Sequence, residues 1–387
     1  MAPPERALML RGLVRLAALG CALALATACA GQGGAHPLAL EKMGYLYVGG
    51  DSIERDGGRM YVDAMFTEYF IPAHCTQPYP IVLVHGGTST GATYLGTPDD
   101  RQGWAEFFLR HGYAVYVIDQ PTRGRSAYDP ATDGPLLRAR EASTLQMFTA
   151  PAKFNLWPQA RLHTQFPGTG EPGDPAYENF RMAQQGSIDG GVRMDTINRD
   201  ALTALLDRIG PAIILTHSRA GPFGWLAADA RPGLVKGIIA VEPNGPPFHH
   251  PEGPMSANRP PGAAERPWGI TYERMTFAPT VNDPAELAPV QQPSQGPDLQ
   301  GCWVASGPAR TLPNLVGVPI MIISSEAGFH AQYTQCMSQF LTQFGVANEL
   351  VRLEEHGLPG NGHLLLIEKN NLEIAALIDA WLRRNVH

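Results

Sequence analysis

Ala212-Ile-Ile-Leu-Thr-His-Ser218-Arg-Ala-Gly221 is a stretch in which a continuous apolar run gives way abruptly to small and polar residues. The apolar run predicts a buried strand, and the residues after the serine predict the start of a helix. A serine at such a strand–turn–helix corner stands at the carboxyl edge of a sheet, where it can act as a nucleophile. The residues two before and two after it crowd each other, so both should be small. Ala220 meets this requirement, whereas Thr216 stands where glycine is usual. Taken alone, the stretch also fits a helix that Ser218 merely caps.

The rest of the chain predicts the sheet to which this strand would belong. Continuous apolar runs alternate with helical patterns, and they occur at 81–84, 113–118, 212–215, 237–241, 319–323 and 349–353. Runs that are apolar on both faces are typical of parallel strands covered by helices on each side. Two earlier stretches, 43–48 and 60–70, flank a turn at 56–58 and predict an opening hairpin. The sequence therefore predicts an α/β fold with a mostly parallel central sheet and helices on both faces.

Two long stretches, 127–199 and 244–318, interrupt this alternation. Residues 243–313 hold 15 of the 35 prolines of the chain, which disfavours long helices and central strands there. Loops of this length inside a compact domain often serve as lids or binding loops. We therefore expect the two insertions to form a cap over Ser218, with Trp157 and Trp268 as the first candidates for lining its substrate pocket. Irregular packing around the sheet edge is the alternative for each insertion.

The first 30 residues have the pattern of a targeting segment. Three arginines precede a short apolar run at 16–28, which is too short to span a bilayer and predicts a signal peptide at 1–28. Ala26-Thr-Ala-Cys29 resembles a bacterial lipobox, which would make Cys29 a lipid-modified residue and would attach the protein to a membrane. The same residues fit ordinary signal cleavage, which would release a soluble secreted protein. A short linker at 29–42 and a catalytic domain at 43–387 would follow, and we expect an exported protein in the periplasm, on the outer membrane or outside the cell.

Composition excludes some partners. The net charge of -7, with mixed signs and no block of Lys and Arg, argues against nucleic acid. No spacing of Cys and His is typical of a zinc site, and we expect neither a metal nor an organic cofactor. An oxidising compartment permits one disulfide among the three cysteines that follow Cys29. We favour Cys302 with Cys336, which would tie the second insertion to the helical stretch after the apolar run at 319–323 and leave Cys75 free.

Serine is a weak nucleophile and needs an adjacent base that a third group orients. The base is expected on the loop after the last strand, where His356 and His363 are the candidates. We favour His363 because Gly360-Asn-Gly precedes it and an apolar run follows it. The glycines would let the loop place the imidazole over the sheet, and the buried apolar run would fix the end of the loop. The acid would hold that imidazole in one tautomer and stabilise the imidazolium. Glu242 and Glu326 each end an apolar run, and the residues alone leave both open.

The transition state of acyl transfer also needs two backbone N–H groups directed at the developing oxyanion. Arg219, which follows the serine at the start of the helix, would supply one. The other is expected from Gly87 in His85-Gly-Gly87, where the glycines allow the loop to approach closely.

These motifs together resemble the esterase-713-like branch of secreted bacterial esterases within the α/β hydrolases, over roughly residues 40–385. The resemblance rests on His85-Gly-Gly, Thr97-Pro-Asp-Asp-Arg-Gln-Gly-Trp104, Asp119-Gln-Pro-Thr-Arg-Gly-Arg-Ser126, the serine corner, Glu242-Pro-Asn-Gly-Pro-Pro-Phe248 and Gly362-His363. It implies an α/β-hydrolase fold and Glu242, rather than Glu326, as the acid. Unlike the type member, this chain has no adjacent cysteines before the first central strand, so a disulfide near the oxyanion hole should be absent.

The sequence thus predicts a serine hydrolase that acts on a small-molecule carboxylic ester through an acyl-enzyme. Fold and triad do not determine the leaving group, so amide, thioester and lactone hydrolysis are alternatives. From another class, the chain could be a catalytically silent surface lipoprotein that binds a ligand beneath its cap.

Overall fold

The central sheet contains eight strands, and its middle consists of the apolar runs that the sequence marks as strands. The computed structural model describes residues 37–188, 191–249 and 266–387. The signal peptide at 1–28, Cys29, most of the linker and part of the second insertion lie outside the described residues. The strands are β1 (Leu40–Val48), β2 (Asp51–Arg55), β3 (Gly58–Val62), β4 (Met65–Pro72), β5 (Ile81–Val84), β6 (Val115–Asp119), β7 (Ala212–His217), β8 (Val235–Val241), β9 (Pro289–Gln291), β10 (Trp303–Ala305), β11 (Ile320–Ser324) and β12 (Glu349–Arg352).

The order of strands in the sheet is β1-β4-β6-β5-β7-β8-β11-β12. All neighbours from β6 to β12 run parallel, whereas β4 is antiparallel to β6 and β1 is antiparallel to β4. The four residues of β5 are all buried, although successive side chains point to opposite faces. Both faces of the sheet are therefore covered, which explains why the central strands are apolar without alternation.

The helices are α1 (Trp104–Arg110), α2 (Pro130–Asp133), α3 (Glu141–Thr144), α4 (Pro151–Phe154), α5 (Pro175–Met182), α6 (Val192–Ile209), α7 (Gly221–Ala230), α8 (Thr334–Gln343) and α9 (Asn371–Asn385). Helix α6 packs against α7 and β1, and α9 packs against α1. The buried face of α6 shares one hydrophobic core with α7 and the central strands, so the end of the first predicted insertion belongs to the helix layer of the sheet. No helix in the described ranges is both long and apolar enough to cross a membrane.

The opening hairpin differs from the sequence prediction. The turn at Asp56 and Gly57 joins β2 to β3, which form a separate two-stranded sheet, whereas β1 pairs with β4. The stretch 60–70 is thus two strands, not one. It breaks at Asp63, whose φ of 59° lies in the left-handed region that a continuous strand does not allow.

The second insertion contains the short antiparallel pair β9 and β10. Cys302, the residue before β10, forms a disulfide with Cys336 in α8, with a Cα–Cα distance of 5.2 Å. This is the pairing that the sequence favoured, and Cys75 is a free, exposed thiol. The disulfide fastens the second insertion to a helix that follows β11.

Loss of this disulfide should lower the free energy of unfolding. The bridge closes a segment with a sequence separation of 34, and in the chain-entropy model such a loop contributes roughly 3–4 kcal/mol. We expect the double variant Cys302→Ser, Cys336→Ser to show this loss in urea denaturation. Cys75→Ser is the matched control, because it removes an exposed thiol without a bridge. Equal stability of the double variant and the wild type would refute the expected contribution.

Candidate active site

The serine corner has the geometry that the sequence predicts. Strand β7 ends at His217, a 3₁₀ turn spans Ser218–Ala220, and α7 begins at Gly221. Ser218 has a φ of 56°, a left-handed conformation that is costly for a residue other than glycine. Ala220 is fully buried, and a Cβ on Gly221 would lie only 2.8 Å from the Cβ of Pro243. The turn is therefore too crowded for larger residues, and it presents the Ser218 hydroxyl at the carboxyl edge of the sheet.

Three side chains form a continuous hydrogen-bonded chain at this edge. Ser218 Oγ lies 2.8 Å from His363 Nε2, and His363 Nδ1 lies 3.1 Å from Glu242 Oε2. With the Nδ1 proton donated to the carboxylate, Nε2 is free to accept the hydroxyl proton of the serine. Glu242 follows β8 directly, and its other oxygen accepts a hydrogen bond from Ser325 N–H at 2.7 Å. The carboxylate is thus fixed on both sides.

Burial governs the electrostatics of this chain. His363 is 2% exposed and Glu242 is fully buried. Loss of hydration disfavours the charged form of each group, so burial lowers the pKa of His363 and raises the pKa of Glu242. The lowered pKa keeps the imidazole neutral at pH 7, which is the form that can accept a proton. Hydrogen bonds from Ser325 act in the opposite direction on Glu242 and favour its carboxylate.

The His85-Gly-Gly87 loop after β5 runs alongside the serine. A Cβ on Gly86 would lie 3.0 Å from Ser218 Cβ and 2.8 Å from His217 Nδ1, so only glycine fits there. A Cβ on Gly87 would lie 3.7 Å from Arg219 Cδ, which is ordinary contact. The loop therefore passes close to Ser218 and Arg219, beside the 3₁₀ turn that precedes α7. An oxyanion hole requires such an approach, and its assignment to Gly87 and Arg219 stays a prediction.

Gly86→Ala should damage this loop more than Gly87→Ala. A methyl group at position 86 must displace the loop from Ser218, which withdraws an N–H donor from the developing oxyanion. Loss of one such donor costs on the order of 10²-fold to 10³-fold in kcat. We expect a loss of this size for Gly86→Ala and a much smaller one for Gly87→Ala, measured with one activated ester. The melting temperature separates a local displacement from unfolding. A Gly86→Ala enzyme as active as Gly87→Ala would contradict the close approach.

The family of the chain follows from comparison with known proteins. A family model described as "Alpha/beta hydrolase family" matches residues 81–377. The chain belongs to the α/β hydrolase family.

Similar proteins agree with this assignment. "Probable secreted lipase phiG" from Fungal sp. (strain ATCC 74256) is 43% identical over 330 residues, which are 85% of this chain and 88% of the relative. A solved structure described as "The Atomic Resolution Structure of a Novel Bacterial Esterase" has a TM-score of 0.59 at 23% identity. It covers 92% of this chain and all of its own, and at this identity the likeness concerns the fold.

The remaining candidates for base and acid in this α/β hydrolase lie elsewhere. His356 ends a 3₁₀ turn after β12 and is exposed. Glu326 accepts a hydrogen bond from Gly360 N–H at 2.7 Å, so it supports the loop that leads to His363 without touching the imidazole. The structure brings Glu242 and His363 together, as the resemblance implies.

A second buried carboxylate holds the His363 loop. Both oxygens of Glu368 accept from Gly362 N–H at 3.0 Å, and one accepts from the Asn361 side chain at 2.9 Å. His163 Nε2 lies 2.9 Å from the same carboxylate. Because His163 belongs to the first insertion, that insertion reaches the loop that carries His363.

Two histidines and a phenylalanine around His363 were not predicted from the sequence. His217 Nε2 donates to the His363 carbonyl at 2.9 Å, and His330 Nδ1 donates to the Glu242 carbonyl at 2.8 Å. The rings of Phe329 and His330 lie 4.3 and 4.6 Å from the His363 ring, centroid to centroid. Both residues follow β11 at the carboxyl edge of the sheet, and this position was the available signal. Together these rings exclude water from the imidazole.

The two predicted pocket tryptophans differ in their surroundings. Trp157 donates to the Ala327 carbonyl and packs on Phe329, whose ring in turn packs on His363. Trp268 packs on Phe277 in the main core, and among the described residues its ring contacts Phe277 and Arg274 and not His363. Instead, Phe148 of the first insertion approaches the His363 ring, at 5.7 Å.

One group of side chains has metal-ligating atoms close together. Candidate ligand atoms of Glu242, His330 and His363 lie within 4.8 Å of one another. The Nδ1 atoms of both histidines, however, already bond to Glu242, and His363 Nε2 bonds to Ser218. These atoms serve the hydrogen-bonded chain, and a metal there would have to break it.

Proposed function

We propose that this α/β hydrolase cleaves carboxylic esters, with Ser218 as nucleophile, His363 as general base and acid, and Glu242 as the orienting acid. The observation that carries the proposal is the unbroken hydrogen-bonded chain from Ser218 Oγ through His363 to the Glu242 carboxylate. Such a chain supplies the activated nucleophile, its base and the group that orients the base.

The reaction would proceed in two halves. Ser218 Oγ attacks the carbonyl carbon while His363 Nε2 takes the hydroxyl proton, and the N–H groups of Gly87 and Arg219 stabilise the oxyanion. The imidazolium then gives its proton to the departing alcohol, which leaves an acyl-serine. Water attacks that acyl group with His363 again as base, and the acid is released as Ser218 regains its proton. Glu242 stabilises the imidazolium in both halves.

The ester assignment is supported by the relatives, one named as a secreted lipase and one described as an esterase. Membership of the esterase-713-like branch is part of the proposal and rests on the motifs quoted above. Amide, thioester and lactone hydrolysis use the same residues and are alternatives within the family. We also propose that the insertions cap the site, which the approach of Phe148 and the contact of His163 with the His363 loop support.

Export is proposed from the signal pattern at 1–28 and from the word "secreted" in the name of the relative. Cys29→Ser distinguishes the two forms of exported protein. A lipoprotein would lose lipid labelling and membrane association with this change, whereas a soluble secreted protein would not respond to it.

A fluorophosphonate probe tests the proposed activity directly, because it reacts only with an activated serine. We expect one adduct on the purified protein, located on Ser218 by peptide mass spectrometry and absent from Ser218→Ala. A panel of esters, amides, thioesters and lactones of equal acyl length would then rank the substrate classes. Failure of the probe to label the folded wild type would favour a catalytically silent binding protein.

A further inference from the structure

Arg123 is a buried cation beside the candidate active site. It follows β6 in the motif that runs from Asp119 to Ser126, and its residue exposure is only 2%. Arginine is almost never buried without an ionic partner. Arg125, in the same motif, shows the usual arrangement: it is exposed and forms ion pairs with Asp119 and Glu68.

The guanidinium of Arg123 has few hydrogen-bond acceptors around it. Nη1 donates one long hydrogen bond, 3.4 Å, to the Ser89 carbonyl. Nη2 is buried, and it has no hydrogen-bond acceptor in the described parts of the chain. No carboxylate of the described residues forms an ion pair with Arg123. A buried charge without a counter-charge is strongly unfavourable, so a position of this kind calls for an anion from outside.

The surroundings of Arg123 connect it to the serine. Ser89, which accepts its hydrogen bond, lies two residues after Gly87. Arg219 directly follows Ser218, and its positive charge acts on Arg123. Burial and the Arg219 charge lower the pKa of Arg123 to about 9, so the guanidinium is still protonated at pH 7. Arg219 itself is half-buried, and its Nη1 lies 3.4 Å from Ser187 Oγ.

We propose that Arg123, together with the half-buried Arg219, forms a subsite for a carboxylate carried by the ester substrate. The positive charges of Arg123 and Arg219 repel each other, and an anion bound at Arg123 would relieve this repulsion while it satisfies Nη2. This inference rests on the proposed esterase function and specifies its substrate class. The preferred substrates are half-esters of dicarboxylic acids, or esters whose alcohol part bears a carboxylate.

Matched pairs of esters test the subsite. The para-nitrophenyl monoesters of succinic, glutaric and adipic acid are compared with neutral esters in which an isopropyl group replaces the carboxylate. Butyrate esters of hydroxybenzoic acids and of the corresponding isopropylphenols form the second series. In at least one series we expect kcat/KM to favour the acidic ester by about 10-fold to 100-fold, after subtraction of the spontaneous rate, which is the gain from a charge-assisted hydrogen bond.

Variants assign that preference to Arg123. Arg123→Gln should remove it, Arg123→Lys should retain part of it, and Arg384→Gln should leave it intact because this control removes the same charge from an exposed position on α9. If Arg123→Gln does not fold, competitive inhibition of neutral-ester turnover by the free dicarboxylates, and its loss in high salt, tests the wild type. Turnover of neutral esters with no acidic preference in either series, or a preference that survives in Arg123→Gln, overturns the subsite alone. Absence of turnover for every ester overturns the proposed function and the subsite with it.

Discussion

Ser218→Ala and His363→Ala should each reduce kcat for the best ester by several powers of ten. The hydroxyl of Ser218 forms the bond to the acyl group, and the imidazole 2.8 Å away is the only base in contact with it among the described residues. Without the hydroxyl the imidazole has no proton to accept, and without the imidazole the hydroxyl is not activated. The two losses should therefore be similar, and the double variant should be no worse than either single variant.

His356→Ala is the matched control for the base. This histidine lies on the same connection between β12 and α9, but it is exposed and ends the 3₁₀ turn that directly follows β12. We expect full activity for His356→Ala and wild-type melting temperatures for Ser218→Ala. Retention of activity by His363→Ala with loss in His356→Ala would show that the base is assigned to the wrong residue.

The central part of the fold could be predicted because burial on both faces leaves a simple signal. Runs such as 81–84 and 212–215 are apolar at every position, and each became a parallel strand. The opening hairpin was predicted wrongly because the turn at Asp56 and Gly57 joins only the short strands β2 and β3. Which strand pairs with β1 depends on contacts across the sheet and on the break at Asp63, and neither is visible in the alternation of residues.

The site residues could be predicted where the local path of the chain determines where a side chain lies. Ser218 follows from its strand–turn–helix pattern, and His363 follows from the glycine loop after the last strand. The residues alone could not distinguish Glu242 from Glu326, because they follow β8 and β11, which are neighbouring parallel strands of one sheet. The resemblance distinguished them. Phe329 and His330 were not predicted, because their position after β11 is a weak signal and ring packing around an imidazole leaves no pattern in a sequence.

Glu242→Gln should lose roughly 10³-fold to 10⁴-fold in kcat with little change in melting temperature. The amide can still accept from Ser325 N–H, so the fold is preserved, but it carries no charge to stabilise the His363 imidazolium and can favour the wrong tautomer. Glu326→Gln is the matched control, because Gln can still accept from Gly360 N–H, and its kcat should stay within about threefold of the wild type.

The pH profile makes the same prediction sharper. Neutral imidazole is the active form, and burial lowers the pKa of His363 below 6.5, so the acid limb of the wild-type kcat/KM profile should lie below pH 6.5. Removal of the Glu242 charge destabilises the imidazolium further, which must move that limb to still lower pH, whereas Glu326→Gln should leave it in place. Both rates and both limbs are measured with a neutral ester, whose own ionisation cannot shift the profile. An acid limb that moves to higher pH in Glu242→Gln, or a larger loss of kcat in Glu326→Gln than in Glu242→Gln, would contradict the assignment of Glu242 and favour Glu326 as the acid. Only the carboxylate that bonds to the imidazole can control its protonation.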